Sequence, residues 1–185
     1  EIANAKNDLP SGIIIKVNSM VDPDLISLLY DASRAGVKIT LIVRGICCLI
    51  PGIVGVSENI TVISIVGQLL EHSRIFKFEN GGEPVVYIGS ADWMQRNLDK
   101  RVELVFPVED EDLKKRVFGM LDIMMNDTIN ARVQKSDMTY VMIDKRGKQP
   151  LNSQLEFYRL AKEALEEVKN DRQQPMFVPK ESENN

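Results

Sequence analysis

The stretch Gly12-Ile13-Ile14-Ile15-Lys16-Val17-Asn18-Ser19, a segment opening Asp22-Pro23, and Val37-Lys38-Ile39-Thr40-Leu41-Ile42-Val43-Arg44-Gly45 decide the fold. Each flanking piece is a short, β-branched apolar run, the mark of a buried strand. The piece between them is punctuated as a helix. Asp22 is a good N-cap, Pro23 suits the first helical position, Leu25, Leu28, Leu29 and Ala32 recur at helical spacing, and Gly36 can supply a left-handed C-cap. Strand, crossover helix and strand make a right-handed βαβ unit with parallel strands. Ligands of such sheets collect at the carboxyl ends of strands, so Asn18-Ser19 and Arg44-Gly45 are expected side by side on one functional rim.

Working outward, the chain of 185 residues is about one domain long. A formal charge of −4, from 23 Lys+Arg against 27 Asp+Glu, excludes nucleic-acid or membrane binding by bulk charge and makes any anion site local. No apolar run approaches the roughly 18–20 residues of a membrane span. The chain begins at Glu1 rather than Met and shows no signal peptide, which reads as a piece of something longer. The only cysteines, Cys47 and Cys48, are adjacent, too few for a disulfide framework or zinc cage, and suit a reducing cytoplasm as small buried hydrophobes. There is one histidine, His72.

The remaining expectations follow the same rules. Glu1–Pro10 reads as the end of a helix and Ile46–Asn59 as a long rim loop. Thr61–Val66, Ser73–Phe78, Pro84–Ser90, Val102–Val108 and Thr139–Ile143 read as strands, with Asn80-Gly81-Gly82 turning a hairpin. Asp110–Asn126 reads as a helix with the stripe Leu113, Val117, Met120, Leu121 and Met124, and Ser153 with Glu156 as the capping box of a last helix. Residues 1–170 form one α/β domain with a mixed, partly parallel sheet flanked by helices, and 171–185 a polar, frayed tail.

Chemistry concentrates in Glu71–Arg101. Glu71-His72-Ser73-Arg74 contains His-x-Arg, and on a strand period-2 alternation points both side chains to one face. That pairing suits a phosphate, with a planar fork of donors beside a group that exchanges protons near neutral pH. Gly89-Ser90-Ala91-Asp92 brings a hydroxyl and backbone N–H groups to the same edge, and Arg96, Lys100 and Arg101 follow, interleaved with Asp92 and Asp99.

These residues are similar to the His-x-Lys-x4-Asp and Gly-Ser-x-Asn pattern of the phospholipase D superfamily, with Arg74 for Lys, Glu79 for Asp and Asp92 for Asn. Together with Lys16-Val17-Asn18-Ser19, Ala35-Gly36-Val37-Lys38-Ile39, Ile42-Val43-Arg44-Gly45-Ile46-Cys47-Cys48-Leu49, Ser57-Glu58-Asn59-Ile60, Ser64-Ile65-Val66-Gly67 and Ser90-Ala91-Asp92-Trp93-Met94, the chain from about Glu1 to Lys169 resembles the C-terminal phospholipase D-like domain of bacterial polyphosphate kinases. The resemblance implies reversible transfer of the ATP γ-phosphate to inorganic polyphosphate through a phosphohistidine, with Mg2+. The phosphorylated histidine belongs to a preceding half. His72 becomes the partner histidine, in an acid/base or phosphate-stabilising role, and Arg44 an ATP-phosphate ligand. Arg74, Ser90, Arg96 and Arg101 are further candidates for the anion pocket and tunnel. The implied partners are ATP or ADP, polyphosphate, the remaining domains of the enzyme and further copies of it, and not nucleic acid. The implied location is cytoplasmic, or at a membrane as part of the full enzyme.

Each assignment has a plainer counterpart. A lone histidine is usually structural. Asn18 and Ser19 either cap the following helix or contact ligand. Tyr87 and Trp93 are core or, for Trp93, a base-stacking platform. Two other function classes fit the residues: a phosphodiesterase or nuclease completing its site as a homodimer, and a non-catalytic polyanion-binding module.

Overall fold

The computed structural model describes residues 1–171, with side chains to 169, so the expected tail lies outside the described residues apart from Asp171. In chain order the elements are α1 (Ile2–Lys6), β1 (Gly12–Val17), α2 (Pro23–Arg34), β2 (Lys38–Val43), β3 (Ile60–Ile65), β4 (Arg74–Phe78), β5 (Val85–Gly89), α3 (Gln95–Lys100), β6 (Val105–Pro107), α4 (Glu111–Met125), β7 (Ala131–Gln134), β8 (Tyr140–Met142) and α5 (Ser153–Asp171). The strands form one open mixed sheet in the order β6-β5-β4-β1-β2-β3-β7-β8. Only β1, β2 and β3 run parallel; the other pairings are antiparallel.

The βαβ expectation holds. Asp22 Oδ1 accepts from Leu25 N at 3.0 Å, Pro23 opens α2, and Gly36 sits at φ 94°, where a side chain would be strained. The sheet has a core on each face. Alternate residues Ile13, Ile15, Val17, Ile39, Leu41, Val43 and Phe76 pack with Leu29 and Ala32 of α2, while Ile42, Ile63, Ile65, Ile75 and Val86 pack with Leu121 and Met124 of α4. Burying each such side chain contributes about 1.5–3 kcal/mol.

Several boundaries differ from expectation. The strand expected from Val102 begins only at Val105, because Glu103 turns inward to Ser90 and Asn97. Neither α3 nor the four-residue β7 carries enough periodic signal to be read from sequence. The capping box at Ser153 does not form. Asn152 Oδ1 accepts from Gln154 N and Leu155 N instead, and Ser153 gives both its N–H and its hydroxyl to Asp127 Oδ2. Leu113 of the α4 stripe is exposed, as are Leu155, Tyr158, Leu165 and Val168 of α5.

Candidate functional site

The carboxyl ends of β1 and β2 are joined where Gly45 N donates to Asn18 O at 2.7 Å. Arg44 Nε donates to Asn18 Oδ1 at 3.2 Å. The rest of the half-buried Arg44 guanidinium makes no hydrogen bond among the described residues, so its fork is uncommitted. The loop after β5 closes over this corner. Trp93 N donates to Ser19 O at 3.2 Å, and Val21 N and Asp22 N donate to Trp93 O. The indole stacks on Phe76, centroids 5.8 Å apart and planes 10° apart, which makes Trp93 part of the packing under the rim.

Asp92 is the hub. Its Oδ1 accepts from Asn18 N at 2.7 Å, Ser19 N at 3.3 Å and Arg74 Nε at 3.2 Å, and its Oδ2 from Arg74 Nη2 at 2.9 Å. This bidentate pair is nearly buried, with side-chain exposures of 10% and 11%. Burial by itself raises the Asp92 pKa, but the hydrogen bonds from Arg74 and from the Asn18 and Ser19 amides outweigh it and hold the carboxyl below the usual carboxylate range. Two of the three departures from the superfamily pattern, Arg74 and Asp92, thus occur as one matched change, a forked cation against a carboxylate.

His72 is not on the strand: β4 begins at Arg74, and His72 lies in the preceding loop, exposed. The two side chains nonetheless meet. Arg74 Nη1 is 3.0 Å from His72 Nδ1 and donates to His72 O at 2.9 Å, while Nη2 is 3.3 Å from Nε2. A neutral imidazole has one lone-pair nitrogen, so only one of the ring contacts is an N–H···N bond. Asp92, His72 O and one ring nitrogen thus accept four of the five Arg74 N–H groups, leaving at most one for a phosphate.

Three charged groups that sequence reasoning did not single out complete the surroundings. Lys16, buried on β1, lies 3.6 Å from Glu71 Oε2 and donates to Ser73 O at 3.4 Å. Burial pulls its pKa below the ordinary lysine value, with Glu71 opposing and Arg44 and Arg74 adding to the fall. A lysine inside an apolar strand near its carboxyl end was the available signal for it. Glu103 accepts from the Ser90 hydroxyl and from Asn97 Nδ2 and lies 3.6 Å from Arg101 Nε, and the Ser90 and Asn97 bonds lower its pKa. Ser90 and Arg101 are therefore gathered around a carboxylate at the edge of the site. Arg96 is exposed on α3 and makes no hydrogen bond or ion pair among the described residues.

The cysteines divide. Cys47 is buried and its thiol is pushed up to about 11 by desolvation, whereas Cys48 is exposed, correcting the expectation that both are buried.

An open mixed sheet with His-x-Arg at its rim and a Gly-Ser-x-Asp turn on the neighbouring strand defines a phospholipase D-like domain. In keeping with that class, the fold is similar to the phospholipase D family member Nuc from Salmonella typhimurium, with a TM-score of 0.53 at 16% identity over 73% of this chain and 89% of that one. The family described as polyphosphate kinase C-terminal domain 2 matches residues 1–154, and the chain belongs to it. It is 52% identical over 165 residues to the polyphosphate kinase of Lactiplantibacillus plantarum, covering 89% of this chain and 23% of that protein. With the Escherichia coli K12 polyphosphate kinase it shares 46% over 158 residues, covering 85% and 23%. The crystal structure of the Porphyromonas gingivalis polyphosphate kinase superposes with a TM-score of 0.86 at 41% identity, over 90% of this chain and 26% of that one. The chain thus spans about a quarter of the length of the polyphosphate kinases it matches.

Proposed function

We propose that this domain supplies one half of the active site of a polyphosphate kinase, which transfers the ATP γ-phosphate reversibly to polyphosphate through a phosphohistidine carried on a preceding domain. The observation that carries this reading is the contrast at the rim: the only histidine of the chain is exposed and held by Arg74, on the same rim as an Arg44 whose fork is largely uncommitted. Phosphoryl transfer asks mainly for alignment and for neutralisation of charge on the equatorial oxygens. Arg44 fits the second task, its fork matching phosphate oxygens, with Asn18 fixing its angle. His72 donates an imidazole N–H to a phosphoryl oxygen opposite the nucleophile. Arg74 acts through His72, and the exposed Arg96 and Arg101 lie further out on the path of an anionic chain.

The residues do not form a Mg2+ cage. No group of three or more His, Cys, Asp or Glu among the described residues could hold a metal ion, and Glu71, Asp92 and Glu103 are committed to internal donors. Mg2+ would enter bound to the nucleotide phosphates, where it neutralises charge, while this chain contributes arginine and histidine. No helix of the described residues is long and apolar enough to cross a membrane.

The test is polyphosphate synthesis from ATP by the full-length enzyme. His72→Ala is expected to lower kcat about 10²–10⁴-fold, the range for loss of a proton-transfer group. A rate near that of the unaltered enzyme removes His72 from the site. Hydrolysis of bis-p-nitrophenyl phosphate at a rate exceeding ATP-dependent synthesis would instead support the phosphodiesterase class.

A further inference from the structure

His72 lies in the eight-residue loop 66–73 between β3 and β4, and among the described residues this loop makes no backbone–backbone hydrogen bond. Such a segment keeps one shape only if side chains or water meet its polar groups. Here one side chain makes two of the four side-chain bonds to the loop backbone, Lys16 and Arg74 making the others. Gln154, buried in the first turn of α5, acts like a neighbouring strand: Oε1 accepts from Leu69 N at 2.9 Å and Nε2 donates to Leu69 O at 2.8 Å. The same Nε2 donates to Glu71 Oε1 at 2.9 Å, and the other Glu71 oxygen faces Lys16. The loop is moulded on this amide, since a Cβ at Gly67 would lie 2.4 Å from Gln154 Oε1.

The two anchors of His72 come from opposite faces of the sheet. Lys16 alternates with Ile14 on the face covered by α4, whereas Arg74 alternates with Phe76 on the face covered by α2. Arg74 holds His72 directly, and Gln154 with Lys16 holds Glu71, the residue before it.

We propose that Gln154 and Glu71 are positioning residues for His72, tying the histidine loop to the C-terminal helix across 83 residues of sequence. The proposal rests on His72 being a site residue. Misplacing a catalytic group by about 1 Å costs about 10²-fold in rate, so the effect falls on turnover, while Arg44, which touches neither residue, leaves ATP affinity intact.

Gln154→Glu tests this in the full-length enzyme, with kcat and KM for ATP measured from pH 5.5 to 8.5. It keeps the shape but replaces the amide donors with a carboxylate that faces Glu71 and the Leu69 carbonyl. The other titratable groups nearby are Lys16 beyond Glu71, Tyr158 lining the same cavity, and His72 next to Glu71 in the chain. At pH 8 a fall in kcat of about 10–100-fold is expected, with KM for ATP within about threefold. The deficit should narrow toward pH 5.5, because a second carboxylate raises the pKa of the pair and the protonated acid regains a donor. Gln154→Ala should lose turnover without that recovery. Glu71→Gln added to Gln154→Glu should restore part of the rate at pH 8 by returning an amide donor to the pair. A Gln154→Glu kcat within twofold of normal, or a deficit that is flat with pH and unmoved by Glu71→Gln, overturns the proposal. An unaltered enzyme that makes no polyphosphate would overturn the functional reading instead.

Discussion

Arg44 and Arg74 stand on the same rim, at the ends of strands two places apart in the sheet, and they are used in opposite ways. Arg74 is buried, with Asp92 and His72 taking four of its five N–H donors. Arg44 is half-exposed and gives one N–H to Asn18. Residue type alone does not separate a phosphate ligand from a scaffold; the number of donors already engaged does. By that measure Arg74 is committed to the fold, while most of the Arg44 fork stays available to a ligand.

That division can be broken most forcefully at Asp92. Asp92→Ala leaves the Arg74 guanidinium buried without its partner, and is expected to cost about 3–5 kcal/mol of stability, read from urea denaturation of the full-length enzyme. A loss under about 1 kcal/mol would place Arg74 in solvent contact. Next comes Arg44→Ala, expected to lower transfer about 10²–10³-fold, like removal of one transition-state donor. Its unfolding midpoint should match the unaltered enzyme within about 0.5 kcal/mol, as for other changes away from the core. A large stability loss there would erase the contrast between the two arginines.

A third effect is set by acid. In Asp92 and in Asp127, burial raises the pKa but hydrogen bonds more than offset it, so both carboxyls titrate below the usual range when folded. The unfolded chain then binds protons first, and stability that is full above the ordinary carboxylate value of about 3.9 is lost as pH falls through the folded values. Denaturation midpoints between pH 6 and pH 2 should decline below about pH 4, and Asp92→Asn should flatten part of that decline. The smallest effect is Asp22→Ala, which removes the α2 cap and should cost about 1 kcal/mol without changing kcat.

Much of this was open to reading in the sequence, and the reason is locality. Three parallel strands with β-branched runs, a capped helix and a glycine-rich hairpin are each specified by residues that lie next to one another. His72 and Arg44 stand out by rarity and by their place after a strand. Their supports do not. Asp92 meets Asn18 across 74 residues, and Gln154 meets Leu69 across 85, distances over which no spacing rule operates. The Ser153-x-x-Glu156 pattern was misleading for the same reason: Asp127, 26 residues earlier, claims the serine. The strand Ala131–Gln134 is short and half polar, and only its pairing with β3 and β8 makes it a strand.

The burial of the Arg74–Asp92 pair also governs how the domain responds to ionic strength. Mobile ions screen charges that face water over a Debye length of about 8–10 Å and reach buried pairs far less. Under the proposed roles, added salt would weaken the grip of Arg44 on an anionic chain while leaving the imidazole where Arg74 sets it. If the proposed roles hold, substrate hold and catalytic geometry would be uncoupled in this domain: one an electrostatic quantity that the surrounding electrolyte can tune, the other a mechanical one that it cannot.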